Sequence, residues 1–148
     1  MGVGRNRRAL RTSESGAALV EFAVVLPVLL LILLGILDFG RAMNYFNDAT
    51  QMANEGARWA AVNRNPGSST LAQYILEQAD TTELRDHSQV CISFPTGSSR
   101  IGDPVRVTVT TDFSFLPSLD LASVTMRGEA VMRLEQLPSN YSTECFPS

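Results

Sequence analysis

The sequence predicts an α+β protein: a long N-terminal helix packed on a small antiparallel β-sheet, with a second, short helix between them in chain order. Three observations carry this. Residues Ala17 to Leu37 are almost uninterruptedly apolar, a helical period continues beyond them to Val62, and from Val105 onward the apolar residues switch to a period of two. The 148 residues leave room for one modest domain once the N-terminal segments are set aside.

The first element is a membrane span. Ala17 to Leu37 holds 21 residues whose only charge is Glu21. At 1.5 Å per residue, a helix of that length reaches about 31 Å, the thickness of a bilayer core. Pro27 lies inside it and removes one backbone donor, which predicts a local kink. Arg5, Arg7, Arg8 and Arg11 precede the span against Glu14, so residues 1–16 carry +3 and the rest of the chain −6. The positive-inside bias places the N-terminus in the cytoplasm and the body outside. A cleaved secretory signal is the competing reading, against which the apolar run is longer than a usual h-region and no A-x-A pattern follows it. Glu21 stands out, because a carboxylate at mid-membrane costs about 2.5 to 3.5 kcal/mol. Either it snorkels to water from one turn inside the cytoplasmic face, or it has a partner.

Beyond Leu37 the helical pattern persists. Phe39, Met43, Phe46, Thr50, Ala53, Ala57 and Ala60 form one stripe, predicting an amphipathic stalk over residues 38–62 that runs on from the span as a single helix of about 46 residues. Trp59, near its far end, is expected to contact the sheet. The run Asn63-Arg64-Asn65-Pro66-Gly67 ends the helix. Ser69 or Thr70 then caps a short helix to about Ala79, with Leu71, Tyr74, Ile75 and Gln78 on one side. Thr81 to Ser88 is expected to be a polar connection.

Three strands follow. Val90 to Phe94 is short and precedes the Thr96-Gly97-Ser98-Ser99 loop. Val105, Val107, Val109, Thr111, Phe113 and Phe115 alternate with polar residues. From Val124, the residues Met126, Gly128, Ala130, Met132 and Leu134 face one way. A sheet with one apolar face needs a cover, which the amphipathic helix supplies. The expected organisation is therefore a basic leader (1–16), a transmembrane helix (17–37), the stalk (38–62), an extracytoplasmic α+β domain (63–137) and an irregular tail (138–148).

Composition bears on function as well. All twelve basic residues are Arg, scattered over an acidic body without the basic stripe that tracks a phosphate backbone, which argues against nucleic-acid binding. The lone His87 has no partner at metal-ligand spacing, and no nucleophile motif or glycine-rich phosphate loop occurs, so no metal, cofactor or enzymatic activity is expected. Cys91 and Cys145 can form a disulfide if the body lies outside the cytoplasm, closing a loop of about 55 residues worth roughly 4 kcal/mol, or can stay two thiols.

Ser13-Glu14-Ser15-Gly16, then Ala17-Ala18-Leu19-Val20-Glu21-Phe22 and an unbroken apolar helix, resembles a type IV prepilin junction. The resemblance implies a type IV pilin-like fold and cleavage after Gly16 by a membrane prepilin peptidase, leaving Ala17 as the new N-terminus and Glu21 as the fifth mature residue. The longer strings Glu21 to Pro27, Leu37-Asp38-Phe39-Gly40-Arg41 and Ala53-Asn54-Glu55-Gly56-Ala57-Arg58 resemble the TadE-like family of minor pilins or pseudopilins of Tad (Flp) pilus systems. That resemblance implies a minor structural or assembly component of a pilus for surface attachment, seated in the bacterial cytoplasmic membrane. Implied partners are prepilin peptidase, other pilin or pseudopilin subunits through the N-terminal helix, Tad inner-membrane assembly proteins and the lipid bilayer. Glu21 and Phe22 are the implied assembly residues. Flp-type junctions often carry Tyr where this chain has Phe22. The alternative is a permanently anchored accessory protein whose outer domain recruits another component.

Overall fold

Helix α1 (Ala9–Ala61) passes through Gly16 and Pro27 as one continuous α-helix of 53 residues. The computed structural model describes residues 9–64, 66–67, 69–115 and 122–147, and the side chains from residue 16 onward. The chain divides into two units, Met1–Phe39 and Gly40–Ser148. In the first, the described residues 16–37 are nearly all exposed, including Leu19, Val24, Leu31 and Ile36.

The second unit is the α+β domain. It contains the C-terminal part of α1, helices α2 (Leu71–Glu77) and α3 (Thr82–Asp86), and strands β1 (Ser88–Ser93), β2 (Pro104–Phe115), β3 (Ala122–Arg133) and β4 (Glu144–Phe146). The sheet is antiparallel with spatial order β3-β2-β1-β4. The β2–β3 ladder keeps one register from Pro104↔Arg133 to Phe115↔Ala122. Alternation puts Val105, Val107, Val109 and Phe113 of β2 in the core with Gly128 and Ala130 of β3, as the period of two predicted.

The predicted stripe holds from Ala53 through Ala57 to Ala60, which are buried, but before Ala53 the helix presents a different face. Phe39, Met43 and Phe46 are exposed, whereas Ala42, Tyr45, Ala49, Met52, Ala53, Gly56, Ala57 and Ala60 are buried. The cause is close approach. A Cβ at Gly128 would land on the backbone of Ala49 and Thr50, and one at Gly56 would meet Ile75 Cδ1 at 2.5 Å and Val107 Cγ1 at 3.2 Å. Small residues at the points of closest approach let the helix lie this near the sheet, while Phe39, Met43 and Phe46 turn outward.

The end of α1 is fixed by its backbone. Asn63 adopts φ 49°, Asn63 N donates to Ala60 O at 3.0 Å and Arg64 N to Trp59 O at 3.0 Å, which is a Schellman motif with Asn in the left-handed position. Glu135 N, just past β3, donates to Ala61 O at 2.8 Å. Helix α2 is capped by Thr70, whose hydroxyl accepts from Gln73 N, and its buried side is Leu71, Ala72, Ile75 and Leu76 rather than the side containing Tyr74 and Gln78.

Two expectations are corrected here. Thr81 to Ser88 is not simply a connection, because the Thr81 hydroxyl accepts from Leu84 N and nucleates α3, with Leu84 buried. Nor is the tail wholly irregular. Tyr141 is buried with its hydroxyl donating to Ala60 O at 2.7 Å, and Glu144 to Phe146 add β4 to the free side of β1.

Candidate functional site

Gly16, Ala17, Glu21 and Phe22 follow one another along α1, and all four are exposed. The residue types set the local chemistry. A Cβ at Gly16 would meet nothing within 4 Å, so glycine is not required there by packing. It does weaken the helix by about 1 kcal/mol relative to alanine. Ala17 and Glu21 stand one turn apart on the same face. Helical side chains lean toward the N-terminus, so the Glu21 carboxylate points back toward the turn that begins at Ala17. Phe22 beside it is 58% exposed, an apolar surface without the hydroxyl a tyrosine would bring.

From Gly16 onward, α1 is the described helix long and apolar enough to cross a membrane, and none of its most apolar window is buried within the chain. A soluble protein rarely leaves so many large side chains in contact with water.

In the second unit, Cys91 and Cys145 face each other across the β1–β4 ladder and are joined as a disulfide, with sulfurs 2.05 Å apart. Val90 and Ile92 point into the core, so the bridge lies on the opposite face of the sheet. Trp59 is half-buried, but its ring partners are Tyr74 of α2, at 4.3 Å between centroids, and the Arg64 guanidinium, 4.2 Å from the ring centre. It borders a shallow cleft of about 380 Å³ lined by Glu55, Arg58, Arg64, Met132 and Glu135 among others. The mixed charges of that cleft define no reaction. His87 borders a second hollow with Tyr45, Glu83 and Asp112. Among the described residues, no group of three or more His, Cys, Asp and Glu is placed to hold a metal ion.

Buried polar groups instead tie elements together. Asp48 accepts from Asp80 N at 3.3 Å, linking α1 to the turn after α2, and burial raises its carboxyl above the usual carboxylate range. Tyr45 is raised too, first by burial and then by the Glu83 carboxylate beside it. Burial pushes the Tyr141 hydroxyl up to about 12. Sequence reasoning placed Asn63 in the run that ends α1 and Gly128 on the inward face of its strand, but missed the side-chain bonds of Asn63 to the tail, the close approach at Gly128 and the burial of Tyr141.

The described residues thus define a class: a chain with one exposed, membrane-length apolar helix and an α+β domain built on that helix's C-terminal part. The family model described as TadE-like protein matches residues 16–58, which makes this segment TadE-like and agrees with the resemblance carried by the strings Glu21 to Pro27, Leu37 to Arg41 and Ala53 to Arg58. No curated protein and no solved structure matches the chain.

Proposed function

We propose that this chain is a minor pilin or pseudopilin of a Tad (Flp) type pilus used for surface attachment. The observation that carries the reading is a coincidence of boundaries: the TadE-like match begins at Gly16, the residue at which the prepilin-type junction places the cut. In this reading residues 1–16 are a leader that holds the junction at the cytoplasmic face until prepilin peptidase cleaves after Gly16. Residues 17–37 span the cytoplasmic membrane of a bacterium, and the domain faces outward. The Cys91–Cys145 bridge fits that side of the membrane, since disulfides persist in oxidising compartments.

Assembly follows from charge. Cleavage creates an amine at Ala17, one turn from Glu21, so both charges sit at nearly the same depth. Each alone in lipid is costly, and pairing with the complementary charge on a neighbouring subunit offsets part of both penalties while fixing the axial register of adjacent helices. Phe22 and the exposed apolar residues after it supply the surface for packing against other pilin-like helices and the Tad inner-membrane proteins. Glu21→Ala is expected to be processed normally and to abolish incorporation into fibres. Wild-type piliation with Glu21→Ala would sink the pairing step. A chain that keeps residues 1–16 in the membrane would instead identify a permanently anchored accessory protein.

A further inference from the structure

The C-terminal tail is attached to the domain at two places of very different character. The first attachment centres on buried Tyr141, whose ring stacks near Phe94 and whose hydroxyl donates to Ala60 O; beside it, at the surface, the Asn63 side-chain Oδ1 accepts from Ser139 N at 3.0 Å and Asn140 N at 3.1 Å. Past Ser142 and Thr143, both exposed, the second attachment is β4. Its ladder is three residues long, Val90↔Phe146, Cys91↔Cys145 and Ile92↔Glu144, against twelve pairs between β2 and β3. None of its side chains is buried: Glu144 is intermediate, while Cys145 and Phe146 are exposed. Besides the ladder and the disulfide, it is held by Gln89 Nε2 donating to Pro147 O at 2.8 Å and by Ala72 N donating to the Glu144 carboxylate at 3.2 Å.

We propose that β4 is a redox-released cover on the edge of β1, held closed by the Cys91–Cys145 bond. A three-residue strand with no buried side chain gains too little to offset the entropy of ordering residues 142–147, so the covalent bond is what keeps it paired. The bond is open to attack because Cys145 is exposed on the sheet face turned away from the core. The reductant is a dithiol. One of its thiolates attacks a sulfur of the bridge, forming a mixed disulfide and expelling the other cysteine as a thiolate that takes up a proton. The second thiol of the reductant, on losing its proton, displaces the remaining cysteine, so two electrons and two protons pass to the protein and the reductant leaves as a disulfide. Release then stops at Tyr141, because the buried attachment does not depend on the bridge. The result is an open β1 edge, a row of unpaired backbone groups that in the oxidised protein is closed to strand addition. The proposal uses only residues 60–147 and stands apart from the pilus reading.

The test is hydrogen–deuterium exchange of the full chain in detergent micelles, oxidised and after reduction with dithiothreitol, with Cys91→Ser/Cys145→Ser as a second route to the unbridged state. Segments 142–147 and 88–93 are expected to exchange at least about tenfold faster without the bridge, while α1 from Ala42 to Ala61 and the β2–β3 ladder stay within about twofold of the oxidised rates. Three results would overturn the proposal. These are unchanged exchange in β1 and β4, an equal rise across β2, β3 and α1, or a bridge that resists the reductant until the domain is unfolded. Reduced wild-type protein decides the matter if the double variant does not fold.

Discussion

Gly128→Ala is the smallest change that tests whether helix and sheet are packed as closely as described. The new methyl would sit 2.7 Å from Thr50 N and closer still to the Ala49 carbonyl, where ordinary contact needs at least 3.4 Å. The obstacle is backbone on both sides, so no rotamer change relieves it. Because the Ala49 carbonyl is the nearest obstacle, helix and strand must part by about 1 Å, and a gap of that size forfeits a quarter to a half of the dispersion attraction along its length. Ala49, Ala53 and Gly56 on α1 and Val107 and Ala130 on the sheet are the buried residues affected. Together with overpacking strain, the expected loss is about 3 kcal/mol. The single tryptophan, Trp59, packed against Tyr74 and Arg64, reports unfolding of this domain by its fluorescence in a urea titration of the full chain in micelles. Gly35→Ala is the control, since a Cβ there meets nothing within 4 Å. A loss below about 1 kcal/mol for Gly128→Ala, with the urea slope unchanged, would refute the close packing.

Further outcomes follow from the tail and the helix end. Asn63→Ala puts a Cβ residue without a side-chain acceptor at φ 49° and removes the bonds from Ser139 N and Asn140 N; it is expected to cost about 2 to 3 kcal/mol, with Asn63→Gly recovering roughly 1, both measured by urea unfolding. Tyr141 titrates near 10 when unfolded and is pushed up to about 12 in the fold, so the folded chain holds this proton more tightly. Its contribution is fully present below pH 10 and falls as pH rises through 10 toward 12, by about 1 kcal/mol at pH 11. Tyr141→Phe should remove that part of the alkaline slope and cost about 1 kcal/mol at pH 7. Urea midpoints for both proteins between pH 7 and pH 11 check both statements.

Much of the fold was legible because its period is strong. The alternation through Val105, Val107 and Val109, and through Gly128 and Ala130, can be satisfied only by half-buried strands. The unbroken run from Ala17 to Leu37 admits little but a helix in lipid. What escaped had a physical reason in each case. Phe39, Met43 and Phe46 dominate any hydrophobic pattern, yet the helix approaches the sheet so closely at Ala49 that the face through Ala42, Tyr45 and Ala49 is buried there, joining the predicted stripe only from Ala53 onward. Helix α3 and strand β4 are too short to show a period, and their causes are single groups: the Thr81 cap for one, the Cys91–Cys145 pairing for the other. Tyr141 gave no signal because its importance depends on where Ala60 O comes to lie. Gly16, Ala17, Glu21 and Phe22 stand out in the sequence by residue type and spacing, and the fold places all four, exposed, along α1.

The central claim is that the helix beginning at Ala17 is released from a leader and enters a fibre. Intact-mass and N-terminal analysis of the chain in fibres sheared from the cell surface tests it most directly. The expected result is a protein present in the fibres and beginning at Ala17. Fibres that lack the chain, with all of it in the membrane still carrying residues 1–16, would contradict it.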